Sequence, residues 1–598
     1  MRRASRRFVS FLASSAAISA SVVCAQAVVQ IQLTPSLPEP QPVGTRVTWT
    51  VTATDSNPGA QDYRFNVRSP GGTFRLVRDY SPSTTLTWAE SEREGIYDLQ
   101  VLVRNKSTNT VTSFVRSYMV SSRVTGGVPV VSVTANPLVA LYSAPPCPAG
   151  SRMRVRFGIS GQGFTQSTPL KPCVPNVSMN FYIAGMLANT QYTLKHDILT
   201  GPLIETGPTL TFRTGAASGN FPSALVLRPA TPPNSLQYPV LLLNHITRQI
   251  VMATDLSGRP IWYYNYPAGT IGRAVAGGTF LLLINESVGG QILREVDLAS
   301  NTLRETNVSR VSEQLQARGE DRITSFHHEI TRLPDGKIAV LGSIEKILTD
   351  VQGPGQVDVL GDMIIVLDTN LQVLWTWNSF RHLDVTRKAV LNETCTNGAA
   401  GCPPVLLRPI ANDWTHSNSI TYSAVDGNLL LSMRHQDWVI KVDYRNGSGT
   451  GNIVWRLGKD GDFAISSSDP YPWFSHQHDA GFNINGNQIF SVYDNGNTRR
   501  AFSNPDAHSR GQVYQVDESN RRVSLTLNAD LGQYAAAVGT AERLANGNYH
   551  FDSGFIVSGS NPPFAQAVEV QPNGSIVYTL QSGDVTYRSF RMEDLYTP

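Results

Sequence analysis

The sequence predicts an all-β protein: a six-bladed β-propeller preceded by two β-sandwich modules. Three observations carry that expectation. Composition is turn-rich and charge-poor, with 48 Gly and 36 Pro among 598 residues and 16% charged side chains, which leaves little room for long helices. Short runs alternate apolar and polar residues with the period of two that marks a half-buried strand. From about residue 220 onward a turn followed by a strand recurs at Asp255–Tyr263, Asp297–Thr306, Asp368–Trp377, Asp443–Leu457, Asp517–Leu527 and Val570–Leu580, the spacing of a radial repeat.

Taken in chain order, residues 1–27 read as a signal peptide. Arg2, Arg3, Arg6 and Arg7 precede an apolar stretch from Phe8 to Val23, and Ala25-Gln26-Ala27 fits an A-x-A cleavage site. Export to the periplasm follows. No later apolar stretch approaches the roughly 20 residues of a membrane span. The net charge is 49 − 46 = +3, and removal of the leader arginines leaves a chain near neutrality. No basic stripe is interleaved with aromatics, so nucleic acid is not an expected partner.

Residues 28–124 form the first expected sandwich, immunoglobulin-like, on runs such as Arg46-Val47-Thr48-Trp49-Thr50-Val51-Thr52. Residues 128–215 form a second, where Leu187 to Leu194 is similar to the tyrosine-corner segment of fibronectin type III domains. Apart from Cys24 in the leader, four cysteines remain, an even number in an oxidising compartment. Proximity pairs Cys147 with Cys173 and Cys395 with Cys402 as disulfides.

Residues 220–598 form the expected propeller. Its inner hairpins turn at Asp335-Gly336, Asp426-Gly427, Asn485-Gly486 and Asn546-Gly547, pairs that tolerate the positive φ of a tight hairpin. Three histidine clusters stand ahead of the first three of these turns: Phe326-His327-His328-Glu329-Ile330, Trp414-Thr415-His416-Ser417-Asn418 and Ser475-His476-Gln477-His478-Asp479. Equivalent positions of successive blades surround one axis, so these imidazoles are expected to converge. His328 and His478 both stand eight positions before the turn glycine; His416 stands eleven before it. The long segments 307–325, 378–413 and 459–475 each precede a cluster and read as lids.

Imidazole serves as nucleophile, general base or metal ligand. Arg434, in Ser432-Met433-Arg434-His435-Gln436-Asp437, adds a fixed guanidinium fork, which favours an oxyanion such as sulfate, phosphate or carboxylate and disfavours a bound metal. His435 faces the opposite side if the strand continues, and reads as structural. Glu329 and Asp479 each follow a histidine and either orient it or sit in the turn. Asp413 reads as a loop or strand-end residue, and His196, His245, His382, His508 and His550 as structural or exposed.

The ordered set H-H-E-I before a D-G turn, D-W-T-H-S-N-S, S-M-R-H-Q, W-R-L-G-K-D-G-D-F from Trp455 to Phe463, and Q-H-D resembles the bacterial arylsulfate sulfotransferases over roughly residues 220 to 598. The resemblance implies an exported propeller enzyme that moves a sulfuryl group from an aryl sulfate donor to a phenolic acceptor. It implies a covalent sulfohistidine, ping-pong kinetics, no cofactor and no 3′-phosphoadenosine 5′-phosphosulfate, and it allows a homodimer. Motif by motif, His478 is the implied nucleophile with His476 as second choice, His328 and His416 are companion catalytic histidines, and Arg434 is the sulfate-binding arginine. Asn418, His476 and His327 complete the substrate-binding set, and no residue is assigned to a metal. Two rival readings stand beside this one. The first is a metal-dependent hydrolase or lyase, because His476 and His478 share one strand face if they alternate. The second is a non-enzymatic propeller that binds a ligand or a partner protein.

Overall fold

A computed structural model of the chain describes residues 29–230, 238–266, 269, 271–286, 290–482, 486, 488–559 and 562–598; the expected signal peptide with Cys24, and two residues of the 485–487 turn, lie outside them. The chain is all-β, with strands throughout and helices confined to short connections.

In the amino-terminal part, Val29–Pro35, Val47–Asp55 and Thr85–Trp88 form one sheet, and Gln61–Arg68, Phe74–Ser81, Gly95–Asn105 and Val111–Ser121 lie in another. Strict alternation in Gly95–Asn105 sends Tyr97, Leu99, Val101 and Val103 into one core with Trp49 and Tyr118. Trp49 meets Tyr118 edge-on at 5.1 Å, a favoured aromatic geometry. A second core gathers around Arg152–Ile159 and Gln191–Thr200 and contains the Cys147–Cys173 disulfide. There the Tyr192 hydroxyl accepts the Leu187 N–H at 2.8 Å, tying the strand back to its own turn.

Beyond residue 238 the strands form six antiparallel groups of four, five of them consecutive in the chain. The first is completed from far along the chain, because Thr586–Met592 pairs with Val240–His245. The inner strands Ile271–Val275, Ser325–Arg332, Ser417–Tyr422, His478–Phe482, Thr540–Arg543 and Thr586–Met592 touch in succession. Arg273, on the first of them, lies 4.3 Å over the ring of Phe590, on the last. Gly336, Gly427 and Gly547 adopt φ of +85°, +70° and +89°, as the turn pairs require. Between sheets, Trp262 stacks on Phe280 at 4.0 Å, and Trp377 and Trp455 are buried.

The amino-terminal part is not a separate appendage. Phe74–Ser81 runs parallel to Thr302–Asn307 with Arg78 opposite Glu305, so the two parts share one sheet. Arg78 and Arg294 both pair with the buried Glu305 carboxylate. Burial opposes the charge of Glu305, but the two guanidiniums outweigh it and hold the carboxyl down at about 2.

The three long connections differ from one another. Segment 307–325 contains the helix Val308–Ala317, capped by the Asn307 side chain on the Arg310 N–H and packed through Val311 and Leu315 into the core. Segment 459–475 buries Phe463 and Phe474 and adds Ala464–Ser466 to an outer strand. These two are structural rather than lids, because their apolar residues find partners below them. Only 378–413, held by the Cys395–Cys402 disulfide and the strands Thr394–Thr396 and Ile410–Asp413, reaches the histidines.

Candidate functional site

Three neighbouring inner strands deliver the histidines, and each is bulged where it does so. The register shifts between His327 and Ile330, between Ser417 and Ser419, and between His478 and Gly481. His328, His416 and Asp479 adopt positive φ of 55°, 45° and 45°, uncommon for residues other than glycine. A bulge re-aims side chains that strict alternation would send to opposite faces. It also corrects the counted equivalence: His478 aligns with His327, each being the last ladder-paired residue before its bulge, and His328 occupies the bulge itself.

The rings form a row. Centroid separations are 5.1 Å from His327 to His328, 4.6 Å from His328 to His416, 4.4 Å from His416 to His435 and 5.7 Å from His435 to His476. Carboxylates stand behind the row. Asp362 sits 3.2 Å from His327 Nε2, and His327 Nδ1 meets His328 Nδ1 at 2.9 Å. If His327 carries its proton toward Asp362, its Nδ1 accepts the His328 Nδ1–H, which frees His328 Nε2. Asp413 accepts from His416 Nδ1 at 2.6 Å, directing that Nε2 outward as well. Burial, then the neighbouring His416, pushes His328 well below the ordinary imidazole value, so it is neutral.

His476 and His478 diverge. His476 precedes the strand His478–Phe482 and has φ +51°, so the expected alternation fails and the pair does not present two ligands on one face. Its Nδ1 lies 2.9 Å from Asp437 and its Nε2 bonds Glu393. Burial works against its charge, yet Asp437 and Glu393 outweigh burial and hold this imidazole above its usual value. His478 is buried without a carboxylate partner among the described residues. Its Nδ1 bonds the Asn495 Oδ1 at 2.7 Å. Nε2 has no hydrogen bond among the described residues. Burial first, then Arg434, pushes His478 well below the normal range, leaving an uncharged ring with a free nitrogen.

Arg434 follows the strand Leu429–Met433 and opens a 3-10 turn, Arg434–Gln436. That turn corrects the expectation for His435. Because the strand stops at Met433, its side chain does not cross to the opposite face; it joins the row, and its Nε2 accepts from Arg434 Nη1 at 2.5 Å. His435 Nδ1 in turn donates to the Asp413 carbonyl at 2.7 Å. Arg434 Nη2 donates to Ala536 O at 3.2 Å, while its buried Nε has no partner among the described residues. Asn418 Nδ2 donates to Gln477 O at 2.7 Å, fixing the residue before His478.

Glu329 and Asp479 turn away from the histidines they follow. Arg273 donates to Glu329 Oε2 at 2.8 Å and Arg588 does so at 2.7 Å, and both guanidiniums lie 3.3 Å from Asp479 Oδ1. This four-membered network sits under the row, where Arg588 also bonds the Asn418 carbonyl and the Tyr587 hydroxyl donates to His328 O at 2.7 Å. A cavity of about 210 Å³ adjoins the network, lined also by Tyr422, Phe482, Glu542 and Phe590, and none of the row histidines lines it. Asp413, His416 and His435 bring ligand-type atoms within 4.8 Å of one another. The Arg434 fork on His435 places a fixed positive charge there, unfavourable for a cation.

Sequence reasoning gave no role to Asn495, Glu393, Asp437, Asp362, Tyr587, Arg588 or Arg273, and undervalued Asp413. Only Asp413, three residues before His416, carried a local signal. The remaining histidines stand apart: His196 bonds Tyr142, His508 bonds Asp530, His550 bonds Ser589, His382 stacks on Trp377, and His245 lies 3.9 Å from Asp584.

The family model described as Arylsulfotransferase (ASST) matches residues 225–588, more than half of the chain. No curated protein matches. Among solved structures, a two fibronectin type-III domain segment from chicken tenascin aligns at 16% identity over 31% of this chain and 98% of its own, with a TM-score of 0.14. A Parabacteroides merdae β-glucuronidase with glycerol in its active site aligns at 13% identity over 32% of this chain and 24% of its own, also at 0.14. Overlaps that small carry no functional weight.

Proposed function

The chain belongs to the arylsulfotransferase family, and from that premise we propose that it transfers a sulfuryl group between phenols through a sulfohistidine on His478. The donor is an aryl sulfate ester, the acceptor a phenol, and no cofactor and no 3′-phosphoadenosine 5′-phosphosulfate takes part. The observation that carries this reading is the state of His478: neutral, held at Nδ1 by Asn495, free at Nε2, and within the field of Arg434.

A sulfate monoester reacts through a loose transition state with charge moving to the departing phenolate, so positioning and charge stabilisation dominate, as in phosphoryl transfer. The unpartnered Nε of Arg434 suits the sulfuryl oxygens. His478 Nε2 attacks sulfur, the S–O ester bond breaks, and its electron pair leaves on the phenol oxygen. In its imidazolium form His416, with its Nδ1–H held by Asp413, delivers its Nε2 proton to that oxygen and recovers one from the incoming phenol. His328, neutral beside it, lines the same side. Asn418 holds the backbone next to the nucleophile, and His327 steadies His328. His476, with both nitrogens engaged, is a supporting residue rather than the alternative nucleophile.

In the same reading the six sheets are blades of a propeller spanning residues 220–598, preceded by sandwiches at 28–124 and 128–215. Residues 1–27 direct export to the periplasm, where the two disulfides form. The test is to mix the protein with an aryl sulfate, quench, and seek an added sulfuryl group on the peptide holding His476 and His478. Turnover without any adduct there would remove the covalent route.

A further inference from the structure

Asn495 is fully buried, and every hydrogen bond around its amide points one way. Nδ2 donates to Ala535 O at 2.8 Å and Val538 O at 3.0 Å, and Oδ1 meets His478 Nδ1 at 2.7 Å. A carbonyl only accepts, so the NH₂ must face Ala535 and Val538, and the amide oxygen must face the ring. His478 Nδ1 therefore carries the proton. The acceptors are themselves fixed. Ser509 Oγ donates to Asn495 O at 2.9 Å and accepts from the Ala535 N–H at 2.9 Å. Val538 holds φ +58°, a strained conformation for a β-branched residue, of the kind that clusters where structure serves function.

We propose that Asn495 is a positioning residue that keeps His478 in its Nδ1–H tautomer and, because an amide cannot take that proton, keeps the sulfohistidine cationic and quick to react. The proposal rests on His478 being the nucleophile. When Nε2 bonds to sulfur and the S–O pair leaves with the phenol, Nδ1 keeps its hydrogen. The ring is then an imidazolium bearing a sulfonate. In the second half-reaction the acceptor oxygen bonds to sulfur, the N–S pair returns to Nε2, and a neutral imidazole departs. A carboxylate at position 495 would draw the Nδ1 proton toward itself, so the departing group would gain imidazolate character and leave more slowly.

The test is single-turnover kinetics with an aryl sulfate, following the sulfurylated His478 peptide by mass spectrometry before and after addition of a phenol. For Asn495→Asp the adduct should still form, and its transfer to phenol should slow at least ~10-fold as the leaving group weakens. For Asn495→Leu, which cannot hold the tautomer, adduct formation should fall by up to about 10⁴-fold, the scale seen when a catalytic histidine loses the partner that sets its tautomer. Thermal midpoints of both variants separate these outcomes from misfolding, and ¹⁵N NMR of histidine-labelled wild type reads the tautomer directly. Absence of any adduct in wild type would overturn the assignment of the nucleophile. Adduct in wild type with unchanged transfer in Asn495→Asp, or an NMR signature of protonated Nε2, would overturn the role of Asn495.

Discussion

His476 and His478 are separated by one residue and almost equally buried, at 0% and 1% exposure, yet their surroundings push them in opposite directions. Burial alone would neutralise both. The difference lies in what each ring meets. Asp437 and Glu393 on either side raise His476 above its usual value; His478 meets an amide and a guanidinium and is held well below it. One ring fastens the 378–413 connection to the site, while the other is left with a lone pair to use. In a buried cluster the partner's chemistry decides which histidine is left neutral.

The hardest test of that contrast is His478→Gln. It should lower kcat/KM by about 10⁴-fold or more, as loss of a nucleophile does, and abolish the adduct; activity within tenfold of wild type would break the comparison. Arg434→Lys keeps the charge but loses the fork and its bond to His435. It should lower kcat by about 10²- to 10³-fold, the scale of a lost oxyanion donor, measured at saturating aryl sulfate. His476→Gln should do something different in kind. With Glu393 and Asp437 left facing each other, stability should fall by about 3–5 kcal/mol, read from chemical denaturation. The folded fraction should stay within tenfold of wild-type activity.

The smallest effects are in pH. Since His478 is held well below 6.5, adduct formation should stay constant as pH falls through 6.5, declining only at lower pH; a limb at 6.5 would mean an ordinary imidazole. For the clamp, His476 is raised above 6.5 and Glu393 lowered below 4.5. The contribution of His476 is complete below 6.5 and lost as pH rises through its raised value. That of Glu393 is complete above 4.5 and lost as pH falls through its lowered value. The midpoint difference between wild type and His476→Gln should therefore peak between 4.5 and 6.5.

The all-β class was legible because alternation and Gly-bearing turn pairs are local signals, as at Gly95–Asn105 and Gly336. So were both disulfide pairings. The sheet shared through Arg78 and Glu305 was not, because pairing across 227 residues leaves no local trace. The site was half legible. Histidines and Arg434 advertise their chemistry by type, but their aim depends on bulges and on the stop at Met433, which single-strand alternation misses. Asn495, Glu393 and Asp362 are ordinary polar residues in sequence; their importance comes entirely from what the fold sets beside them.

Tyr587 and Arg588 stand on the strand that completes the first sheet, downstream of every histidine in the row. A nascent chain therefore carries all its imidazoles before it has the two side chains that brace them from below. Joining strands so distant in sequence is slow, since the loop between them must close first. The histidine row thus gains its full surroundings only once Thr586–Met592 has paired with Val240–His245.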